Sequence, residues 1–160
     1  MTNSLRPSRG CGRSRASSWL LLALLAPAAA FATLGEDGAT VDRDLARMKA
    51  QRNVTRTSAY SVHELQLPGG TQVREYLTPA NQVFAIGWSG PGIPDLQQLL
   101  GTYFPRYRAA AQARSVSSRA PLVVQQPDLV IRSAGHPRAF SGVAYLPLQM
   151  PAGVRAEEIR

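Results

Sequence analysis

Two histidines and a few carboxylates are the side chains best suited to proton-transfer chemistry in this sequence. His63 and Glu64 stand side by side in "VHELQLPGGTQVREYLT" (62–78), and Glu75 follows beyond a pair of glycines. A His-Glu pair suggests a zinc hydrolase, but that motif needs a second histidine one helical turn later, and position 67 is leucine. His136 is the only other histidine, so a multi-histidine catalytic zinc site is excluded. Two acid–base dyads are conceivable for a small hydrolase: His63 with Glu75, and His136 with Asp128. Paired-carboxylate glycoside hydrolysis would draw on Glu64, Glu75, Asp95 or Asp128, yet no spacing selects a pair. Ser89 in "GWSGPG" approaches a nucleophile elbow, but Pro91 occupies the place of its final glycine. "LPGGT" lacks the downstream Gly-Lys-Ser/Thr of a phosphate loop and joins two strands. No cofactor is implied. The preferred reading is non-catalytic, with His63 and Glu75 as a cross-strand pair.

The elements that would position these residues can be read from pattern. Residues 60–88 predict a three-stranded antiparallel meander, with "PGG" (68–70) as its first turn. A three-residue loop pairs Leu67 with Thr71 and sets His63 opposite Glu75, Glu64 opposite Arg74 and Leu65 opposite Val73. A two-residue loop would set Glu64 against Glu75, a like-charge pair that costs energy. An even-length loop at "PANQ" (79–82) then places Leu77 by Phe84, Glu75 by Ile86 and Val73 by Trp88. One apolar face collects Leu65, Leu67, Val73, Leu77, Phe84, Ile86 and Trp88, with His63 and Glu75 within it or at its rim. If enclosed, those two must satisfy each other.

"SGPGIP" (89–94) breaks the meander. Asp95 reads as a helix N-cap with Gln98 as its reciprocal partner, and Leu96, Leu99, Leu100, Tyr103 and Tyr107 follow at helical spacing. Pro105 should end or kink this helix near Phe104, with "RYRAAAQA" open as a continuation to about 114. After a loop at 115–120, strands are expected at 121–126, 128–134 and 138–147. "GHP" (135–137) should connect the last two, and Gly142 suggests a bulge. Before the meander, Val41, Leu45 and Met48 give one short helix in an otherwise polar lead-in (33–59), whose part from Gln51 to Ser58 is expected to be mobile. Residues 151–160 read as a tail. The fold class is α+β: an antiparallel sheet built from the meander (60–88) and the C-terminal strands (121–147), with a main helix (95–104) and a short N-terminal one, in a single domain over 60–150.

Residues 1–32 read as a secretory leader. Arg6, Arg9, Arg13 and Arg15 precede the apolar run "WLLLALLAPAAA" (19–30), which is short for a bilayer span of ~20 residues. "AFA" supplies small residues at Ala30 and Ala32 before a cut at Thr33; the alternative is an uncleaved N-terminal anchor. No adjacent arginine pair precedes the run, which favours the general secretory route. Cys11, the only cysteine, lies inside the leader. A mature chain from Thr33 to Arg160 would therefore be free of cysteine, which excludes thiol chemistry and disulfides. The formal charge of +8 also changes: the leader holds 4 of the 18 basic residues and none of the 10 acidic ones, leaving 14 − 10 = +4. Charge of that size does not mark a nucleic-acid binder, and export argues further against one.

The strings "HELQLPGGTQVREYLTP", "VFAIGWSGPGIPDLQQLLGTYF" and "DLVIRSAGHPRAFSGVAYLP" resemble, in order, the family of domain of unknown function 2844, exported proteins of Gram-negative bacteria. The likeness runs from about Ala32 to Val154; Pro137 stands where the family would carry a bulkier apolar residue. The resemblance implies export and one compact domain, and it implies no activity. The expectation is thus a non-enzymatic binding or accessory protein of the envelope, periplasmic or extracellular. Its partner would be another envelope protein or envelope polysaccharide, met through a patch at Trp88, Ser89, Gly90 and Pro91. The rivals are a small envelope hydrolase using either dyad, and a binder of anionic surfaces through the basic run 43–56. No transmembrane span is expected once the leader is removed.

Overall fold

Seven strands form one antiparallel sheet: β1 (Gln51–Arg56), β2 (Ser61–Gln66), β3 (Gln72–Leu77), β4 (Val83–Gly90), β5 (Leu122–Gln125), β6 (Val130–His136) and β7 (Ala139–Tyr145), in the order β1-β2-β3-β4-β7-β6-β5. Three helices join them: α1 (Ala39–Arg47), α2 (Leu96–Leu100) and α3 (Phe104–Ala113). The computed structural model describes residues 33–114 and 120–160; the expected leader and most of the loop at 115–120 lie outside the described residues. The α+β class and the antiparallel sheet are those expected from the sequence.

The β2–β3 hairpin takes the register that charge pairing favours. Leu67 N–H donates to Thr71 O (2.8 Å), Gly70 has φ +84, and the loop is Pro68–Gly69–Gly70. His63 faces Glu75, Glu64 faces Arg74 and Leu65 faces Val73. The Glu64–Arg74 pair closes at 2.9 Å.

The meander has four strands rather than three. Gln51–Arg56, expected to be mobile, pairs along its whole length with β2. This is an edge strand exposed at most positions, so it shows no apolar alternation, and its charged residues discourage pairing with another chain. The β3–β4 register also departs from expectation. Leu77 pairs with Val83, not Phe84, and the ladder shifts between Tyr76 and Leu77. That bulge sends Phe84 to the opposite face, where its ring meets Tyr60 and Tyr76.

Asp95 caps α2 by accepting from Gln98 N–H (3.0 Å). The break after it falls at Gly101 (φ +49), and Pro105 lies in the first turn of α3. Proline therefore starts the second helix instead of ending the first, because a first-turn residue needs no intrahelical donor. Gly142 makes no bulge. Pairing runs through it on both sides, and a Cβ there would lie 2.2 Å from Trp88 Cζ2. The position is glycine so that the indole can lie against the backbone. Strand β6 runs through His136, which shortens the expected "GHP" connection to a turn at Pro137–Arg138, with Arg138 at φ 69.

Apolar side chains fill both faces. On one face, Leu34 and Val41 join Leu96, Leu99 and Leu100 over Leu65, Val73, Ile86 and Trp88. On the other, Tyr76, Phe84, Val130 and Tyr145 are covered by the chain after β7, including Met150, Val154 and Ile159. The stretch 151–160, read from the sequence as a tail, thus lies against the sheet. Ile159 is buried, and Tyr76 Oη donates to the main-chain oxygen of Arg160 (2.9 Å) while accepting from its N–H (3.1 Å). A Cβ on Gly87 would sit 2.6 Å from that oxygen, so the crossing needs glycine beneath it.

Candidate functional site

Glu75 points inward from β3 and has no exposed surface. It meets Asp44, which α1 turns toward the sheet and which is itself 4% exposed. Asp44 accepts from Thr33 Oγ1 on one carboxylate oxygen and from Gln98 Nε2 on the other. The Gln98 side chain therefore spans from α2 to α1 instead of returning to its own cap. Among the described residues neither oxygen of Glu75 has a donor, although Asp44 is within hydrogen-bonding reach. Two carboxylates cannot bond each other, but a neutral carboxyl can donate to a carboxylate. Burial first, and then the neighbouring Asp44, hold the Glu75 carboxyl well above its ordinary value. Burial also raises Asp44, against the pull of its bond from Gln98. Because Asp44 has two donors of its own, the charge rests there and the shared proton stays on Glu75.

His63 lies across the ladder from Glu75, but the two side chains do not bond. Among the described residues His63 Nδ1 is buried without a partner, so the mutual satisfaction expected of the pair is not realised. Burial lowers the His63 pKa, and Arg52 and Arg56 lower it further. The imidazole is therefore neutral near pH 7. A Glu75 carboxyl with no exposed surface cannot reach a substrate, which leaves His63 without a catalytic partner in this conformation.

The second candidate dyad is spread out. Asp128 precedes β6 and binds Arg106 (2.7 Å), whose hydrogen bond pulls its pKa down, while His136 ends the same strand on an exposed turn. A strand of that length separates them by roughly 20 Å. In the proposed contact patch, Trp88 is buried, Ser89 and Gly90 are half-buried and Pro91 is exposed. The basic run 43–56 is divided between α1 and the edge strand β1, and Arg52 pairs with Asp42. Among the described residues, no group of three or more His, Cys, Asp or Glu side chains could hold a metal ion. No described helix is long and apolar enough to cross a membrane.

An open cleft of about 530 Å³ crosses the second face of the sheet. Its floor is built in register: Arg74 (β3), Gly87 (β4), Val143 (β7) and Arg132 (β6) form one cross-strand row, and Ser89, Ser141 and Ala134 form the next. Ile159 and Arg160 supply a wall where the chain crosses Gly87. Three arginines and no acidic residue line the space. Arg74 is held by Glu64, Gln72 and the Arg160 main chain, whereas the Arg132 side chain has no ion pair or hydrogen bond among the described residues.

A family model described as protein of unknown function (DUF2844) matches residues 30–159, a span that takes in every described helix and strand. The chain belongs to this family. No curated protein and no solved structure matches it. In this DUF2844 domain, sequence reading singled out Glu75 but missed Asp44, Gln98 and Thr33. A signal existed for two of them. Asp44 interrupts the apolar stripe of Val41, Leu45 and Met48, and Gln98 sits within that of Leu96, Leu99 and Leu100. Polar residues on inward faces of neighbouring elements must find one another. The cleft carried no such signal, because it depends on where residues 159–160 come to rest on the sheet.

Proposed function

We propose that this DUF2844 domain is an exported, non-enzymatic binding or accessory protein of the cell envelope, and that it meets its partner through the cleft on the second sheet face. The observation that carries this reading is the row Arg74–Gly87–Val143–Arg132 crossed by the Arg160 main chain: a basic, partly apolar concavity with no histidine, aspartate or glutamate in its lining. Such a surface is equipped to bind and lacks an acid or base for hydrolysis. Export is supported by the leader-like residues 1–32 and by a family match that starts at residue 30, beside the expected cut. The patch expected from the sequence contributes Trp88 and Ser89 to the cleft lining.

The test combines two measurements in a Gram-negative host. Intact mass of the exported protein should correspond to a chain starting at Thr33. A photo-crosslinking side chain at Ser141, in the cleft, should capture a specific envelope component that the same group at Arg108, on α3, does not. A full-length mass would overturn the cleaved leader. Equal capture from both positions would overturn the cleft as the contact surface.

A further inference from the structure

Charge and shape together narrow the occupant of the cleft. Its lining is mostly apolar, and while Arg74 is paired with Glu64, Arg132 has no acidic partner among the described residues. Arg74 is fully committed, which makes it a fixed wall. The guanidinium of Arg132 lies exposed across the floor from it, at the far end of the Gly87–Val143 row, and the main chain of Arg160, whose side chain is also exposed, crosses the same row over Gly87. Between them the floor offers Val143, Gly142 and the flank of Ile159, followed by the hydroxyls of Ser89 and Ser141. The volume suits a small molecule, and a planar guanidinium fork suits a carboxylate or a phosphate.

We propose that the cleft binds an anionic amphiphile, with one carboxylate or phosphate head held by Arg132 and Arg160 and its apolar body laid over Val143, Gly142 and Ile159. This rests on the binding reading above and gives it a ligand class. A fully polar anion would leave the apolar floor without a partner, and a neutral lipid would leave the two guanidinium groups unused. Gly87 makes the wall possible, because a Cβ there would meet the Arg160 main chain where residues 159–160 cross the sheet.

The test uses the mature chain and titration calorimetry below micelle concentration, with dodecyl phosphate and dodecanoate as probes and with dodecanol and inorganic phosphate as controls. Both anionic probes, or one of them, should bind, and whichever head binds tighter names the source as a lipid phosphate or a fatty-acid-like carboxylate. Losing a charge-assisted contact typically weakens binding by roughly 10–100-fold, so R132A/R160A should fall by at least about tenfold. R132K should lie between this variant and the parent, because it keeps charge without the fork. Both arginines are exposed, and unchanged melting of the variants checks that the fold survives. Dodecanol binding as well as dodecyl phosphate would overturn recognition of the head. Inorganic phosphate binding as well would overturn the role of the apolar body, and unaltered affinity in R132A/R160A would overturn the location. If no probe binds while Ser141 still crosslinks an envelope component, the ligand class falls and the binding reading stands.

Discussion

The proton shared by Asp44 and Glu75 should make the protein more stable in mild acid than at neutral pH, the reverse of the usual carboxylate effect. In the folded chain Glu75 stays neutral well above its ordinary value of 4.5; in the unfolded chain it ionises near that value. Unfolding between the two values releases a proton, so stability is fully present below about pH 4.5 and is lost as pH rises toward the folded value. One proton corresponds to a slope of up to about 1.4 kcal/mol per pH unit between the two values. Asp44, also raised, contributes in the same direction. His63 opposes both below its ordinary 6.5, because its folded value is lowered and the unfolded imidazole takes up the proton first. Arg43, Arg47 and Arg52 act on the pair through their charge. Comparison with Glu75→Gln isolates the carboxyl: the amide can still donate to Asp44 and carries no titrating proton. Urea unfolding of the mature chain, followed by Trp88 fluorescence from pH 5 to pH 8, should show a steeper fall for the parent than for E75Q, with the variant gaining relative stability as pH rises. Parallel profiles for the two proteins would refute the shared proton.

Glu75→Ala should cost about 2–3 kcal/mol at pH 6 in the same assay, since it leaves a cavity and removes a donor from buried Asp44. Gly142→Ala should lose about 1–3 kcal/mol and shift Trp88 emission, because the new methyl occupies the space of the indole edge. Gly87→Ala should lift residues 159–160 off the sheet, read as faster proteolysis within 151–160 at 25 °C while the rest of the domain stays resistant. If a hydrolytic activity on envelope esters or glycans is detected, H63A, E75Q, H136A and D128A should all retain it; loss in both members of either dyad would restore the enzyme reading.

Where local chemistry decided the outcome, the sequence was readable. The Glu64–Arg74 and Leu65–Val73 pairings follow from one three-residue loop, and Asp95 caps its helix as its side chain suggests. The misses have a shared physical origin in distant context. Strand β1 escaped notice because an edge strand exposed on both faces needs no apolar alternation, and its partner β2 supplies the order. Phe84 was assigned to the wrong face because a bulge depends on how the 78–82 loop closes. At Gly142 the lack of a side chain was noticed, but its reason lies on a strand paired across β4 and β7. For the candidate site, the inward position of Glu75 was legible from alternation, yet its partner was taken to be the cross-strand His63. Asp44 reaches it from a helix thirty-one positions earlier, which pairing within a hairpin cannot reveal.

The hold on Thr33 bears on the timing of the proposed leader cleavage. Its hydroxyl is fixed on Asp44, its carbonyl accepts from Glu36 N–H, and the next two N–H groups bond Leu99 and Val83. A processing peptidase needs extended, accessible chain on both sides of the bond it cuts, and these contacts draw one side of the expected cut into the core. A precursor that folded first would conceal its own cut site; one cut first would be free to close. The central pairing of β4 with β7 joins residues far apart in sequence, a topology that slows folding. On the export proposed above, that delay would give the peptidase its interval, and the last act of maturation would be the tucking-in of a newly made end.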